Sequence, residues 1–360
     1  MAMSGGSAST TRPSSLPSAT GRAAASPPLV PGNWYLAAAS SELAPGKIVA
    51  HRIGERELVL YRCRAGARPT ALAAHCRHAG CHLKHADVIS GRLRCPLHHR
   101  VIDAAGRFIG RDGTPTDTFQ PTLPVYEGLG GVFVFAGDGT PFPFHLPALA
   151  STAAFASKVL PAIEITQPWP ALIANGMDID HLAAVHDRRL KEPPSLEQIA
   201  PHLMRLAYRT EVTGRHISDR LMKWLSGDDI HGTITCVGGS TILVDARIKT
   251  RRTFILLSMS PTAAHGSSIR GIVGVEGDPA RVATRLRLAV AAWLFRAFLK
   301  KDVGVLEGLR WHPPADEHTL GDRLTRRLHA FFCEQPEAFP TAAASDDSSE
   351  DRHLRLRATM

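Results

Sequence analysis

The sequence predicts an α+β protein of two domains, and three observations carry that expectation. Short alternating apolar runs separated by Gly-containing turns fill residues 30–150, the pattern of a small antiparallel β domain. A stretch rich in Ala and Ser at 149–158 then marks a change of character. Beyond it, alternating segments running to Val275 give way to a long helical stretch from Ala280, which reads as a curved antiparallel sheet with a long helix against it. A chain of 360 residues is long for one core, in keeping with two domains of ordinary size.

Taken in order, residues 1–29 are rich in Ser, Ala, Thr and Pro and include Arg12 and Arg22, the composition of a disordered leader with a superficial likeness to an organelle transit peptide. Folded structure is expected to begin near Gly32-Asn33-Trp34-Tyr35. Strands are expected at Ile48 to Arg52 and Leu58 to Tyr61, joined by a turn at Gly54, then at Thr70 to Ala74, around Val101 to Phe108, and at Val132 to Phe135. After the linker, Trp169 to His186 reads as one helix. Strands are expected near Leu206 to Val212 and at Gly232 to Val237, Thr241 to Lys249, Thr253 to Ser260 and Ser268 to Val275. Asp278 followed by Pro279 is an N-cap and first-turn pair for the last long helix. The expected division is a leader at 1–29, domains at 30–150 and 151–335, and a disordered tail at 336–360.

The most specific feature lies in the first domain. Cys76-x-His78 and Cys95-x-x-His98 are two Cys-His pairs on separate loops, with sixteen residues between them. Ordinary zinc modules group cysteines first and histidines later, so this mixed order points elsewhere. Two thiolates can hold one iron of a 2Fe-2S cluster while two imidazoles hold the other, which makes the cluster less negative and raises its potential. The spacing resembles a Rieske centre. His75, His82, His85 and His99 crowd the same loops and read as loop residues, because the ligand set is complete without them.

The rest of the composition bounds the function. Of six cysteines only Cys76 and Cys95 belong to the motif and the other four are irregularly spaced, which in a chain with a real core argues against a disulfide framework and favours a reducing, cytoplasmic setting. The net charge of +9 is scattered, with no basic motif interleaved with aromatics, so no nucleic-acid partner is expected; an acidic electron donor or a solvated surface fits as well. The longest apolar run, Leu286 to Leu299, carries Arg287 and Arg296 and is too short to span a bilayer.

A second constellation lies at Asn175-Gly176-Met177-Asp178-Ile179-Asp180-His181 and on to His186. Two histidines five apart sit roughly 140° apart around a regular helix, so joint ligation would need an irregular turn such as a π-bulge. A carboxylate from elsewhere would complete a facial triad, with open positions for dioxygen and substrate chemistry. Asp302, between Lys301 and the apolar Val303, Val305 and Leu306, is the candidate; pairing with Lys301 or Arg310 is the competing role.

Together these motifs resemble the terminal oxygenase component of the Rieske non-heme iron oxygenases, over roughly residues 33–333. The family pattern is met by Cys76, His78, Cys95, His98, Asn175, Asp178, His181, His186 and Asp302. The chain departs from it where many members have Gly-Trp after the second cluster histidine and this one has His99 and Arg100. Leu97 also stands where some respiratory Rieske proteins have a cysteine that pairs with one at the position of Cys81, so that brace cannot form.

The resemblance implies a Rieske domain followed by a helix-grip catalytic domain, a 2Fe-2S cluster and a mononuclear Fe(II). It implies electrons from NAD(P)H through a separate reductase or ferredoxin, and a homotrimer in which each cluster faces the neighbouring subunit's iron. Asp178 would bridge His181 and the neighbour's His98, and Asn175 would line the iron pocket. The expected activity is monooxygenation: hydroxylation or oxidative demethylation of a hydrophobic substrate such as a steroid, terpenoid or polycyclic compound. Aromatic ring cis-dihydroxylation and desaturation stand as alternatives, and a non-catalytic electron carrier or structural zinc protein as the rival from another class. Leu243, Phe254, Leu256, Met259 and Trp293 are candidate pocket residues, although alternation alone does not say which of them face inward.

Overall fold

The computed structural model describes residues 26–144, 154–227, 229–248 and 251–339. The expected leader up to residue 25, the tail from residue 340, and the boundary expected at 150 lie outside the described residues.

Three antiparallel sheets build the N-terminal domain. One pairs Asn33–Ala39 with Gly131–Ala136, which in turn pairs with Val125–Gly128. Another runs from Thr122–Leu123 through Pro69–Ala73 and Arg56–Arg62 to Ile48–Ile53. The third, from Asp87–Ile89 to Pro115–Phe119, carries the second metal loop between its strands Arg92–Arg94 and Val101–Ile102. Tyr35, Leu60, Val132 and Val134 are buried in one core, and Val59, Tyr61, Leu72, Leu93 and Ile102 in another beneath the metal loops.

The C-terminal domain is a nine-stranded sheet among the described residues, with antiparallel pairing from Phe155–Val159 through Ser267–Glu276, Arg251–Pro261, Thr241–Ile248, Ile230–Val237 and Leu203–Val212 to Arg188–Leu190. Five α-helices accompany it: α1 (Trp169–Met177), α2 (Ile179–Ala184), α3 (Ile217–Ser226), α4 (Val282–Leu306) and α5 (Leu320–Cys333). Helix α4 lies against Ser267–Glu276, as the helical pattern predicts.

The period of two sorts each strand between two environments. Ile242, Val244, Ile255, Leu257 and Met259 face α1 and α4, whereas Leu243, Leu256 and Phe254 pack with Trp34, Leu36, Phe133 and Phe135 of the first domain. The sheet therefore shares its second face with the N-terminal domain, and one apolar cluster spans the seam. Polar contacts pin the same seam. Asn33, fully buried, donates from Nδ2 to Val237 O at 2.8 Å, Ser240 Oγ at 3.0 Å and Thr241 Oγ1 at 3.3 Å. Gly238, at φ +54°, sits where an added Cβ would lie 2.5 Å from the Asn33 side chain, so both the backbone conformation and the close approach require glycine there.

Three expectations change. The helix expected over 169–186 breaks at Asp178, whose extended backbone (φ −79°, ψ 117°) ends α1 and caps α2. Helix α4 begins at Val282 with Arg281 as N-cap; Asp278 Oδ1 accepts from Ala280 N at 2.9 Å in the turn before it. The chain also stays packed beyond Gln335: Gly32 N donates to Pro336 O, Ala338 N donates to Val30 O, and Ala338 is fully buried. A short apolar segment reading as tail on composition is held because it supplies backbone partners to the first strand's approach.

Candidate metal centres and substrate cavity

The two Cys-His loops are folded on themselves by backbone hydrogen bonds. Cys76 N donates to Cys81 O, Gly80 N to Cys76 O, Cys95 N to Arg100 O and His99 N to Cys95 O, all at 2.8–3.0 Å. His99 takes φ 55°, the left-handed turn that sends the chain back after His98. Cys76 and Cys95 are buried at 2% exposure each, their thiols in contact, while His78 and His98 are exposed with ring centroids 4.8 Å apart. Burial, with the Cys95 thiol beside it, pushes the Cys76 thiol up. Buried thiols on the inner side and imidazoles on the outer side are the donor segregation a Rieske cluster needs, so these residues fit the group.

Gln120 braces this arrangement and was not legible in the sequence. It is 1% exposed; its Oε1 accepts from Arg77 N at 2.9 Å, and its Nε2 donates to Ala73 O and His75 O at 2.8 Å each. One amide thus fixes the backbone on both sides of Cys76. A lone Gln in a polar run carries no signal of that role.

The second constellation converges. Asp178 Oδ1 accepts from Asp180 N at 2.8 Å and His181 N at 3.3 Å, starting α2; α2 ends at Ala184, and His186 leaves its C-terminus rather than continuing it. The two histidines therefore come together because α2 ends before His186, with no π-bulge. His181 Nε2 lies 3.0 Å from His186 Nε2 and 2.9 Å from Asp302 Oδ1, and His186 Nε2 lies 2.7 Å from Asp302 Oδ1. Exposure is 9% at His181, 2% at His186 and 9% at Asp302. Three ligand atoms at about 3 Å from one another match the edge of an octahedral face around a divalent ion held at about 2.1 Å. The triad fits a mononuclear metal.

Burial opposes the charge on Asp302, but hydrogen bonds from His181 and His186 outweigh it and hold the carboxyl below its usual range. Burial pushes the His186 imidazole down despite that carboxylate, which favours the neutral form a metal ligand needs. Phe298, one turn before Asp302 on α4, stacks on His186 with centroids 3.4 Å apart and planes 4° from parallel. Lys301, the competing partner for Asp302, instead approaches Asp187 and Asp219 at 3.6 and 3.8 Å. Arg188 lies 3.6 Å from the buried Asp219, so that carboxylate sits between two cations near the triad.

The triad opens into a cavity of about 700 Å³ between the sheet and helices α3 and α4. Its walls are mostly apolar, with Ile242, Val244, Ile255, Leu257, Val290 and Leu294 among them, and Asn175 lines it as expected. Of the candidate pocket residues, Met259 lines it from the cavity face, whereas Phe254 borders it with its ring packed on the opposite face of the sheet. Leu243 and Leu256 point to the opposite face of the sheet, and Trp293 is 48% exposed outside the cavity wall. Alternation decides this: their neighbours Ile242, Val244, Ile255 and Leu257 take the cavity side.

Residues 33–127 match the Rieske [2Fe-2S] domain family. These residues form a Rieske domain. Cys76, His78, Cys95 and His98 all fall inside it. The chain is also 26% identical over 208 residues to cholesterol 7-desaturase of Bombyx mori, covering 56% of this chain and 44% of that protein. It is 29% identical over 167 residues to the oxygenase component of dicamba O-demethylase of Stenotrophomonas maltophilia, covering 42% and 46%. The matches thus span less than half the length of these curated relatives. Over nearly the whole chain the fold is that of dicamba monooxygenase bound to dicamba, with a TM-score of 0.62, 18% identity, and 85% and 98% of the two chains covered. Pseudomonas putida CBB5 NdmA with caffeine aligns with a TM-score of 0.62, 16% identity, and 83% and 89% coverage. The Rieske domain is therefore followed by a second domain with the antiparallel sheet and helices of these solved structures.

Proposed function

We propose that this protein is the terminal oxygenase of a Rieske non-heme iron system and acts by monooxygenation on a hydrophobic substrate. The observation that carries this reading is the convergence of His181, His186 and Asp302 on one face of a largely apolar cavity, in a chain that also carries a Rieske domain. A carrier or a structural zinc protein would use the first constellation alone and leave the triad and cavity without purpose.

Cys76, His78, Cys95 and His98 would hold the 2Fe-2S cluster, and His181, His186 and Asp302 the mononuclear iron. When bound, the cluster supplies single electrons and the iron supplies dioxygen activation. The chain's own residues do the rest. The exposed His78 and His98 put the imidazole side of the cluster site where a reductase or ferredoxin, or a second subunit, can approach. Phe298 locks the His186 ring plane, so its Nε2 stays aimed at the triad centre. Asp219, between Arg188 and Lys301, keeps two cations paired beside a cavity that must receive an apolar body. The apolar walls exclude water and orient the substrate by shape.

Asp178 supports a role in joining the two centres. It is half-buried, caps α2 through one carboxylate oxygen and sits three residues before His181. In a head-to-tail homotrimer its second oxygen would take a hydrogen bond from His98 of the next subunit. Hydroxylation and oxidative demethylation both fit the cavity. Desaturation is the second reading, supported by the match to a cholesterol desaturase.

Metal and sulfide content together with oxygen uptake test the proposal. The oxygenase reading expects about three iron per two acid-labile sulfide, and oxygen uptake driven by a surrogate reductase with an apolar substrate. About two iron per two sulfide would make the chain a carrier, and zinc without sulfide a structural module; either result overturns the proposal.

A further inference from the structure

We infer that the cavity mouth docks on an anionic lipid surface, so that an apolar substrate enters the protein from a membrane rather than from water. Helices α3 and α4 touch each other and both line the cavity. Their outer sides expose large apolar side chains: Ile217 at 79% and Trp224 at 73% on α3, and Val282 at 79%, Leu286 at 66% and Trp293 at 48% on α4. Trp224 and Leu286 also line the cavity, which places them on its rim. Ile217 and Trp224 are seven residues apart on one helix, as are Leu286 and Trp293 on the other, so each pair shares a face.

The charges on these two helices are sorted. Arg220, Lys223, Arg285, Arg296 and Lys300 are exposed, whereas the two acids, Asp219 and Asp302, are turned inward at 4% and 9% exposure. Among the described residues, neither helix presents an acid to solvent. Trp and aliphatic side chains flanked by Lys and Arg are the composition of helices that lie in a membrane interface. Each such cation contributes favourably near an anionic leaflet, and Trp favours the boundary between headgroup and acyl chain. A second copy meeting this face isologously is the poorer occupant, because two basic surfaces would come together, and the head-to-tail contact proposed above runs through His98 and Asp178 instead. No helix among the described residues is long and apolar enough to cross a membrane, so the contact would be peripheral.

The inference depends on the oxygenase reading only for its purpose. Vesicle binding requires no turnover, so the two can fail separately. The test is flotation of the iron-loaded chain with vesicles of phosphatidylcholine alone and of phosphatidylcholine with phosphatidylglycerol. Flotation is expected with the second, together with quenching of tryptophan emission by brominated acyl chains. Trp224→Ser combined with Leu286→Ser should lower the partition about tenfold or more, and Arg220→Glu combined with Arg285→Glu should do the same. Trp224→Phe should keep the partition and lose part of the quenching, which reports the location without risk to the fold. No flotation with anionic vesicles, or equal partition of the serine variant, overturns the inference. So does self-association of the native chain without lipid that the serine variant abolishes, since a second copy would then cover this face.

Discussion

At His186 two contacts act at once: the ring face lies on Phe298 at 3.4 Å, and Nε2 lies 2.7 Å from Asp302 Oδ1. The ring is thereby fixed in plane and direction, and its Nδ1 is buried without a hydrogen-bond partner among the described residues. His186→Ala or Asp302→Ala should remove one of the three proposed ligands and empty the mononuclear site while leaving the visible absorption of the cluster. Iron analysis beside the spectrum checks this; loss of cluster colour would contradict two independent centres. Phe298→Ala keeps all three ligands but frees the ring, and should weaken iron binding about tenfold or more, read by competition with a chelator. Gln120→Ala leaves Arg77 N and the carbonyls of Ala73 and His75 without their part-buried partner, and should cost about 1–3 kcal/mol, read from denaturant unfolding.

At the scale of elements, the break between α1 and α2 shapes the site. Five residues along a regular helix would leave His181 and His186 facing apart. The break at Asp178 sets where α2 starts, and ending α2 at Ala184 lets His186 swing back to His181. Asp178 performs the capping with Oδ1, and asparagine caps about as well. Asp178→Asn should therefore change stability by less than about 0.5 kcal/mol yet abolish coupled turnover, whereas Asp178→Ala should also cost about 1 kcal/mol. Thermal unfolding beside product formation separates the two roles. Wild-type turnover in the asparagine variant would end the bridging assignment.

For the whole molecule, the seam between the domains is one place where pH acts. His51, on strand Ile48–Ile53, faces Ser260 Oγ of the C-terminal sheet at 3.2 Å. Burial in the seam, with Arg270 nearby, holds the imidazole down at about 4. In the unfolded chain it returns to the usual value near 6.5. The unfolded state therefore binds more protons between those values, so the stability held by neutral His51 is full above about pH 6.5 and is lost as pH falls towards about 4. His51→Gln should flatten unfolding stability across that window, and a profile as steep as the native one would exclude His51 as the source.

Much of the chemistry was legible in the sequence because ligands declare themselves by type and spacing. Cys76, His78, Cys95 and His98 cannot be ordered as they are by chance packing, and the sorting of the last domain into sheet then helix follows from period. Gln120, Phe298 and the Asp219 cluster were not legible, since a glutamine, a helical phenylalanine and an aspartate have the same local sequence whether or not they touch a metal loop. Leu243 and Leu256 were misplaced as cavity residues for a related reason: a strand buried on both faces shows apolar side chains on both, so period alone does not choose the side. The sequence by itself determined which donor residues are available and the kinds of metal they suit, because donor chemistry depends on residue identity. The tertiary structure alone decided that α2 ends before His186, that α4 brings Asp302 to 2.7 Å from it, and which sheet face walls the cavity. The contacts with Asp302 join segments more than a hundred residues apart and are fixed by packing of the core, not by any local preference of the chain.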